Sequence, residues 1–405
     1  MSRVPRYALL VLLCLLGSRT VDAQIAIRAQ RAYPVSHEMI EDAVVLVNDG
    51  KIQAIGTADT IEIPADYETL EVAVLTPGLI DAHSVVGLAG MLNQEQDQDQ
   101  LDPTESIQPQ LSAVDAYNPH DELVDWLREL GVTTLHTGHA PGALVSGQTM
   151  VVHTNGNTVE QAMLLPARAV AVTLAEAGRR SGKESPGTRG KAVAMLRERL
   201  VAAREYLDKQ AGDEESRPAR DLELETWGKV LNRELAILVT CDRAQDIASA
   251  LRLADEFKLD LWLDSAAEAY LLIDEIKQAG VPVIVHASMA RAVGERENLT
   301  FENAAKLRDA GIPIAIQSGY EAYVPKTRVV LFEGAIAAAN GLGFDRALEA
   351  ITLGPARILG LDDEIGSLEV GKRADLAFYD GDPFEYTTHC IGTMIDGRIV
   401  SRTVR

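Results

Sequence analysis

The chain has 405 residues, 47% of them hydrophobic and 24% charged. That is enough apolar material for one large packed domain with a smaller companion, and too much for long disorder. A formal charge of −22 opposes binding to nucleic acid or to anionic lipid.

The first 23 residues differ from the rest. Arg3 and Arg6 precede an apolar run from Ala8 to Gly17, and Val21-Asp22-Ala23 ends in a small residue. This pattern predicts a secretory signal peptide over residues 1–23, cut after Ala23. A run of about 10 residues is too short for the roughly 20-residue helix that spans a bilayer. The expectation is therefore an exported protein, periplasmic or secreted, with no membrane contact after cleavage. Cleavage leaves Cys241 and Cys390, and the sequence leaves open whether they pair.

From Ile25 to Leu75 the pattern is short and strand-like. Ala43-Val-Val-Leu-Val47 runs into the tight-turn signal Asn48-Asp49-Gly50, and Lys51–Gly56 reads as the return strand. Ala374–Tyr379 and Gly392–Val400 have the same character. Two β-rich ends around a long middle predict a small discontinuous β-sandwich domain from residues 24–76 and 364–405.

The middle, residues 77–363, alternates apolar runs with amphipathic stretches. Candidate strands are Leu75–Asp81, Val132–Thr137, Ala169–Thr173, Ala236–Thr240, Leu259–Leu263, Val281–Val285 and Ile312–Gln317. Between them lie helical segments such as Pro119–Leu130, Ala244–Phe257 and Ala267–Ala279, several ending in Gly. Repeated strand–helix units predict a parallel sheet. Seven strands stand out, not eight. Residues 175–234 read instead as a helical insertion, with Val193, Leu196, Leu200, Ala203 and Leu207 on one helix face. Gly138–Gly147 reads as a flexible loop.

Three motifs in register resemble the amidohydrolase superfamily, nearest its imidazolonepropionase-like branch. Thr76-Pro-Gly-Leu-Ile-Asp-Ala-His83 is similar to the family's first barrel strand, Pro-Gly-Leu-Ile-Asp-x-His-x-His. Gly131-Val-Thr-Thr134 matches its second strand. Ala350–Gly360 and Gly366–Leu376 match its closing segment. The resemblance implies a (β/α)8 TIM-type barrel and hydrolysis of non-peptide carbon–nitrogen bonds. A divalent metal, zinc foremost, would lower the pKa of a bound water.

The ligand pattern departs from the family. His83 stands at the first ligand position, but its same-face partner is Val85. Thr240 stands where a His is expected, Leu261–Ser265 has no His, and Ile316–Tyr320 lacks the catalytic Asp. Other polar residues sit at predicted C-terminal strand ends, where barrel enzymes place their chemistry. His83, His136, His139 and His286 are candidate metal ligands, and Asp242 and Asp264 candidate catalytic carboxylates, together a mixed N/O set for zinc. Tyr320 and Glu321 are candidates for substrate contact. His37, His120, His153 and His389 fall in predicted loops or the small domain and carry no role. Two outcomes follow. One is an exported hydrolase with a non-standard metal site. The other is a catalytically inactive barrel, with or without a metal, that binds a small ligand or serves as the partner subunit of an active relative. In either case the partners expected are a small molecule and a second copy of the chain, as a homo-oligomer, or a related barrel.

Overall fold

A computed structural model describes residues 24–92, 94–179, 185–214, 217–286, 291–320 and 329–402. The signal-peptide expectation for residues 1–23 and the contact assigned to Glu321 lie outside the described residues. Among those residues no helix is long and apolar enough to cross a membrane.

The chain opens with four strands, β1 (Ile25–Ala32), β2 (Ile40–Asn48), β3 (Lys51–Thr57) and β4 (Glu68–Pro77). Asp49 and Gly50 both take positive φ, 49° and 75°. That is the primed hairpin turn that matches strand twist, and it joins β2 to β3.

The barrel follows: β5 (Leu79–Ser84), β6 (Val132–Gly138), β7 (Val145–His153), β8 (Met163–Thr173), β9 (Ala236–Cys241), β10 (Leu261–Ser265), β11 (Val283–Val285) and β12 (Ile314–Ile316). The final strands, β13 (Leu376–Tyr379), β14 (Cys390–Ile395) and β15 (Arg398–Arg402), return to the first group. Both ends thus share one seven-stranded sheet, ordered β15-β14-β13-β4-β1-β2-β3. The expected sandwich is this single ladder folded over its own core of Ile27, Val45, Leu75, Leu376 and Met394. Its two hairpin tips meet: a Cβ on Gly397 would lie 2.8 Å from the Gly50 Cα.

The barrel sheet holds eight strands in chain order, β5 through β12. The eighth strand is β7, in a region read from sequence partly as loop. It runs antiparallel to β6 and β8, while the other ladders are parallel. The glycines at 142 and 147 disguise a hairpin as a flexible stretch. The helices expected over 175–234 do form, at Arg189–Gln210 and Leu222–Leu231. They pack outside the barrel as the β8–β9 connection and replace no strand.

The predicted strand Leu75–Asp81 is really two. β4 ends and β5 begins around Gly78, where the chain passes so close to Thr133 that a Cβ would sit 2.2 Å from its Oγ1. No turn signal marks that boundary. Alternation along each strand then sorts the core. Ile80, Val151, Leu238, Trp262 and Ile284 fill the barrel interior. Ile237, Val239, Leu261 and Leu263 face the helices.

Two β5 contacts close the barrel without a ladder to β12. The Ser318 N–H and hydroxyl donate to Asp81 at 3.0 and 2.5 Å, and the Ile80 N–H donates to the Ile351 carbonyl at 2.8 Å. His153, expected to be without a role, is buried at the end of β7 with Nε2 3.0 Å from Asp375 Oδ2. It ties the barrel to the small sheet. Cys241 and Cys390 are both free and buried.

Candidate active site at the barrel mouth

Parallel register aligns the strand ends. Thr173 pairs with Thr240, Thr240 with Asp264, and Asp264 with Ile284. Residues in register share a face, and Ile284 belongs to the interior, so Thr173, Thr240 and Asp264 also point inward at the C-terminal rim. His83 arrives by a different route. The β5–β6 ladder pairs Asp81 with Leu135 but Ser84 with Thr137, one residue out of step. A bulge of this kind re-aims side chains, and His83 meets Asp264 across the barrel.

Asp264 is the hub. Its Oδ1 lies 2.9 Å from His83 Nδ1 and accepts from Gln317 Nε2 at 2.7 Å; its Oδ2 accepts from the Thr240 hydroxyl at 2.6 Å. Burial pushes its carboxyl pKa up, but His83, Thr240 and Gln317 more than offset this and hold it below the usual range. An ionised carboxylate only accepts, so the proton in the shared bond sits on His83 Nδ1. His83 Nε2 is buried and meets no partner, and the same holds for Thr173 Oγ1 and Gln317 Oε1. The Tyr320 ring covers this region, its centroid 5.4 Å from that of His83 and 5.5 Å from that of His286.

The remaining candidates do not join His83 as ligands. His136 lies with its ring centroid 6.0 Å from that of His83, yet both its nitrogens are committed. Nδ1 is 2.7 Å from the Ala82 carbonyl, which can only accept, so Nε2 takes the Thr149 hydroxyl at 2.7 Å. Burial lowers its pKa to about 3, which keeps it neutral. His286 Nε2 accepts from Arg296 Nη1 at 2.9 Å. His139 is buried against Gly147, with neither ring nitrogen hydrogen-bonded and a pKa lowered by burial to about 4. Asp242 accepts from the Ser265 hydroxyl at 2.5 Å, and burial raises its pKa to about 6. It forms a separate pair and takes no part in the Asp264 hub. Burial raises the Cys241 thiol pKa well above its ordinary value, which suits a packed residue rather than a nucleophile.

The residues present therefore do not fit a resident divalent metal. Among the described residues no three His, Cys, Asp or Glu side chains form a group that could hold one. A catalytic zinc takes three protein ligands; here Asp264 spends both oxygens on donors, and His136 both nitrogens. Thr240 and Gln317, which in sequence marked only missing ligands, hold the site together. Strand register was the signal that could have found them.

Comparison with known proteins gives a consistent pattern. The Amidohydrolase family profile (Amidohydro_3) matches residues 327–401. An imidazolonepropionase of Rhizobium rhizogenes is 25% identical over 86% of this chain and 90% of its own length. Amidohydrolase tasK of Hapsidospora irregularis is 22% identical over 89% of this chain, which spans only 39% of that longer protein. Among solved structures, an amidohydrolase from Thermotoga maritima MSB8 superposes with a TM-score of 0.88 at 28% identity, over 94% of this chain and 100% of that one. A zinc-bound adenosine deaminase from Xanthomonas campestris shares the fold, with a TM-score of 0.55 at 17% identity over 93% of this chain and 92% of that one. Family profile, sequence relatives and barrel geometry agree in supporting the amidohydrolase superfamily, nearest its imidazolonepropionase-like branch.

Proposed function

We propose that this protein is an exported hydrolase of non-peptide carbon–nitrogen bonds in small molecules, working at the barrel mouth around His83 and Asp264. The observation that carries this reading is the set of buried polar atoms without partners at that mouth: His83 Nε2, Thr173 Oγ1 and Gln317 Oε1. An unsatisfied buried polar atom costs about 1–3 kcal/mol. Unpartnered buried atoms also occur elsewhere in the described residues, at Trp227 and Tyr379 for example, but these three lie at the inward-facing strand ends beside Asp264, where a polar ligand or water would satisfy them. Similarity to a hydrolase superfamily supports the reaction class, although fold alone does not set chemistry.

A second reading is a catalytically silent barrel that binds a small ligand or pairs with an active relative. The incomplete ligand set favours it. One experiment separates the two. Purified mature protein is incubated with lactams, cyclic imides, hydantoins and N-acyl amino acids, and release of the carboxylate or amine is followed. Turnover of one class that is lost in His83→Gln supports the hydrolase. No turnover, with a melting-temperature rise on adding one of these compounds, favours the binder.

A further inference from the structure

The geometry points to His83 as a general base held by Asp264, a device that serves hydrolysis without the metal the family employs. The inference rests on the hydrolase reading above and names the group that moves the proton.

Asp264 accepts from three side chains, His83, Thr240 and Gln317, and both its oxygens are occupied. Three of its roughly four lone-pair sites are therefore taken by protein donors. Its contact with His83 is through Nδ1, so the imidazole is fixed with hydrogen on that nitrogen and its other lone pair on Nε2. A carboxylate behind a histidine, orienting the ring and steadying the cation that forms on protonation, is the arrangement by which a histidine serves as a base. It also resembles the outer shell of a metal-bound histidine, so the rest of the mouth must decide. There His136 has both nitrogens bonded, His286 Nε2 faces the Arg296 guanidinium, and Thr240 offers its hydroxyl to Asp264. One bare nitrogen backed by a carboxylate is a complete base but an incomplete metal site.

The step balances without a further reagent. His83 Nε2 takes a proton from water as the water oxygen bonds to the substrate's carbonyl carbon, giving a tetrahedral oxyanion. That intermediate collapses with breaking of the C–N bond, whose electron pair stays on nitrogen. Nε2 then gives its proton to that nitrogen, leaving a carboxylic acid, an amine and the starting imidazole. Asp264 is a positioning residue in this scheme.

The test uses the whole mature protein labelled with 15N-histidine, with the His83 signals assigned through His83→Gln. The expected spectrum shows a single neutral form with hydrogen on Nδ1 and a bare Nε2, unchanged by excess zinc. Asp264→Asn, which keeps the side-chain volume, and Asp264→Ala should lose that single form. The chemical probe is p-nitrophenyl acetate after dialysis against EDTA. Hydrolysis should persist in the wild type and fall at least ~100-fold in His83→Gln, the lower end of what a general base supplies. Hydrogen on Nε2 would overturn the inference, as would stoichiometric zinc that shifts the Nε2 signal. Zinc-dependent turnover of the amide panel that is lost in His83→Gln would overturn it while leaving the hydrolase reading standing. Turnover that survives His83→Gln would overturn the inference and move the hydrolase site away from His83. A silent panel and a silent ester probe would overturn both.

Discussion

Replacing Asp81 by Asn should stabilise the protein at neutral pH and do almost nothing at pH 4. Asp81 is fully buried at the seam between β5 and β12, and burial raises its pKa from 3.8 to about 6, even though Ser318 donates two hydrogen bonds to it. A rise of that size corresponds to ~3 kcal/mol. The sign follows from proton linkage. Between pH 4 and 6 the folded protein holds a proton that the unfolded chain has released, so this group's contribution to stability is full below pH 4 and is lost as pH rises through 6. Asparagine carries no charge at any pH, its oxygen can keep one Ser318 bond, and the hydroxyl can turn to accept from its amide. The expected gain is therefore up to ~3 kcal/mol at pH 7.5 and about zero at pH 4. Urea unfolding of wild type and Asp81→Asn at pH 4, 5, 6 and 7.5 measures it directly. A variant destabilised equally at every pH would refute the reasoning, because the carboxylate charge would then be required by the seam and not merely tolerated.

Other expectations are as direct. Burial lowers the pKa of His136 and His139 from 6.5 to about 3 and about 4, so their contribution is present above pH 6.5 and lost as pH falls. This opposes the Asp81 and Asp242 contributions between pH 6 and 4, so His139→Asn should gain stability on acidification relative to wild type, by roughly 1.4 kcal/mol per pH unit. Gly147→Ala would place a Cβ 2.2 Å from His139 Cδ2 at a φ of +138°. It should cost about 1–3 kcal/mol, read as a lower urea midpoint. His153→Ala removes the Nε2 partner of the buried Asp375 carboxylate and should cost about 1–3 kcal/mol, the cost of leaving a buried polar group unsatisfied, with earlier proteolytic release of the small sheet than in wild type.

The fold was legible in sequence because its signals are local. Asn48-Asp49-Gly50 announces a hairpin turn that forms with both required positive φ values, and Gly280, after the Ile273–Ala279 helix, caps it in the left-handed conformation before β11. β7 was half hidden because an antiparallel hairpin interrupts the strand–helix rhythm, and its glycines resemble loop punctuation. The site was legible only in part. His83 and Asp264 stand out by residue type, but their union depends on a bulge in β5 and a partner 181 positions away. Thr240 and Gln317 matter through the hydrogens they donate, which a search for metal-ligand types passes over. His153 looked unremarkable because its partner, Asp375, lies 222 positions on, in the small sheet.

The seam also orders the folding of the barrel. Neighbouring strands β5 through β12 follow one another along the chain, so each can add to the one before it as the ribbon rolls up. The last contact joins residues 237 positions apart, Asp81 and Ser318, and no backbone ladder draws them together. Contacts this distant form late, since the loop-closure entropy must be met first. Curling of the ribbon should accordingly precede its closure. The Ser318 amide, bonded to a side chain instead of a strand, should be among the last barrel amides to gain protection in refolding and among the first to exchange in the native protein.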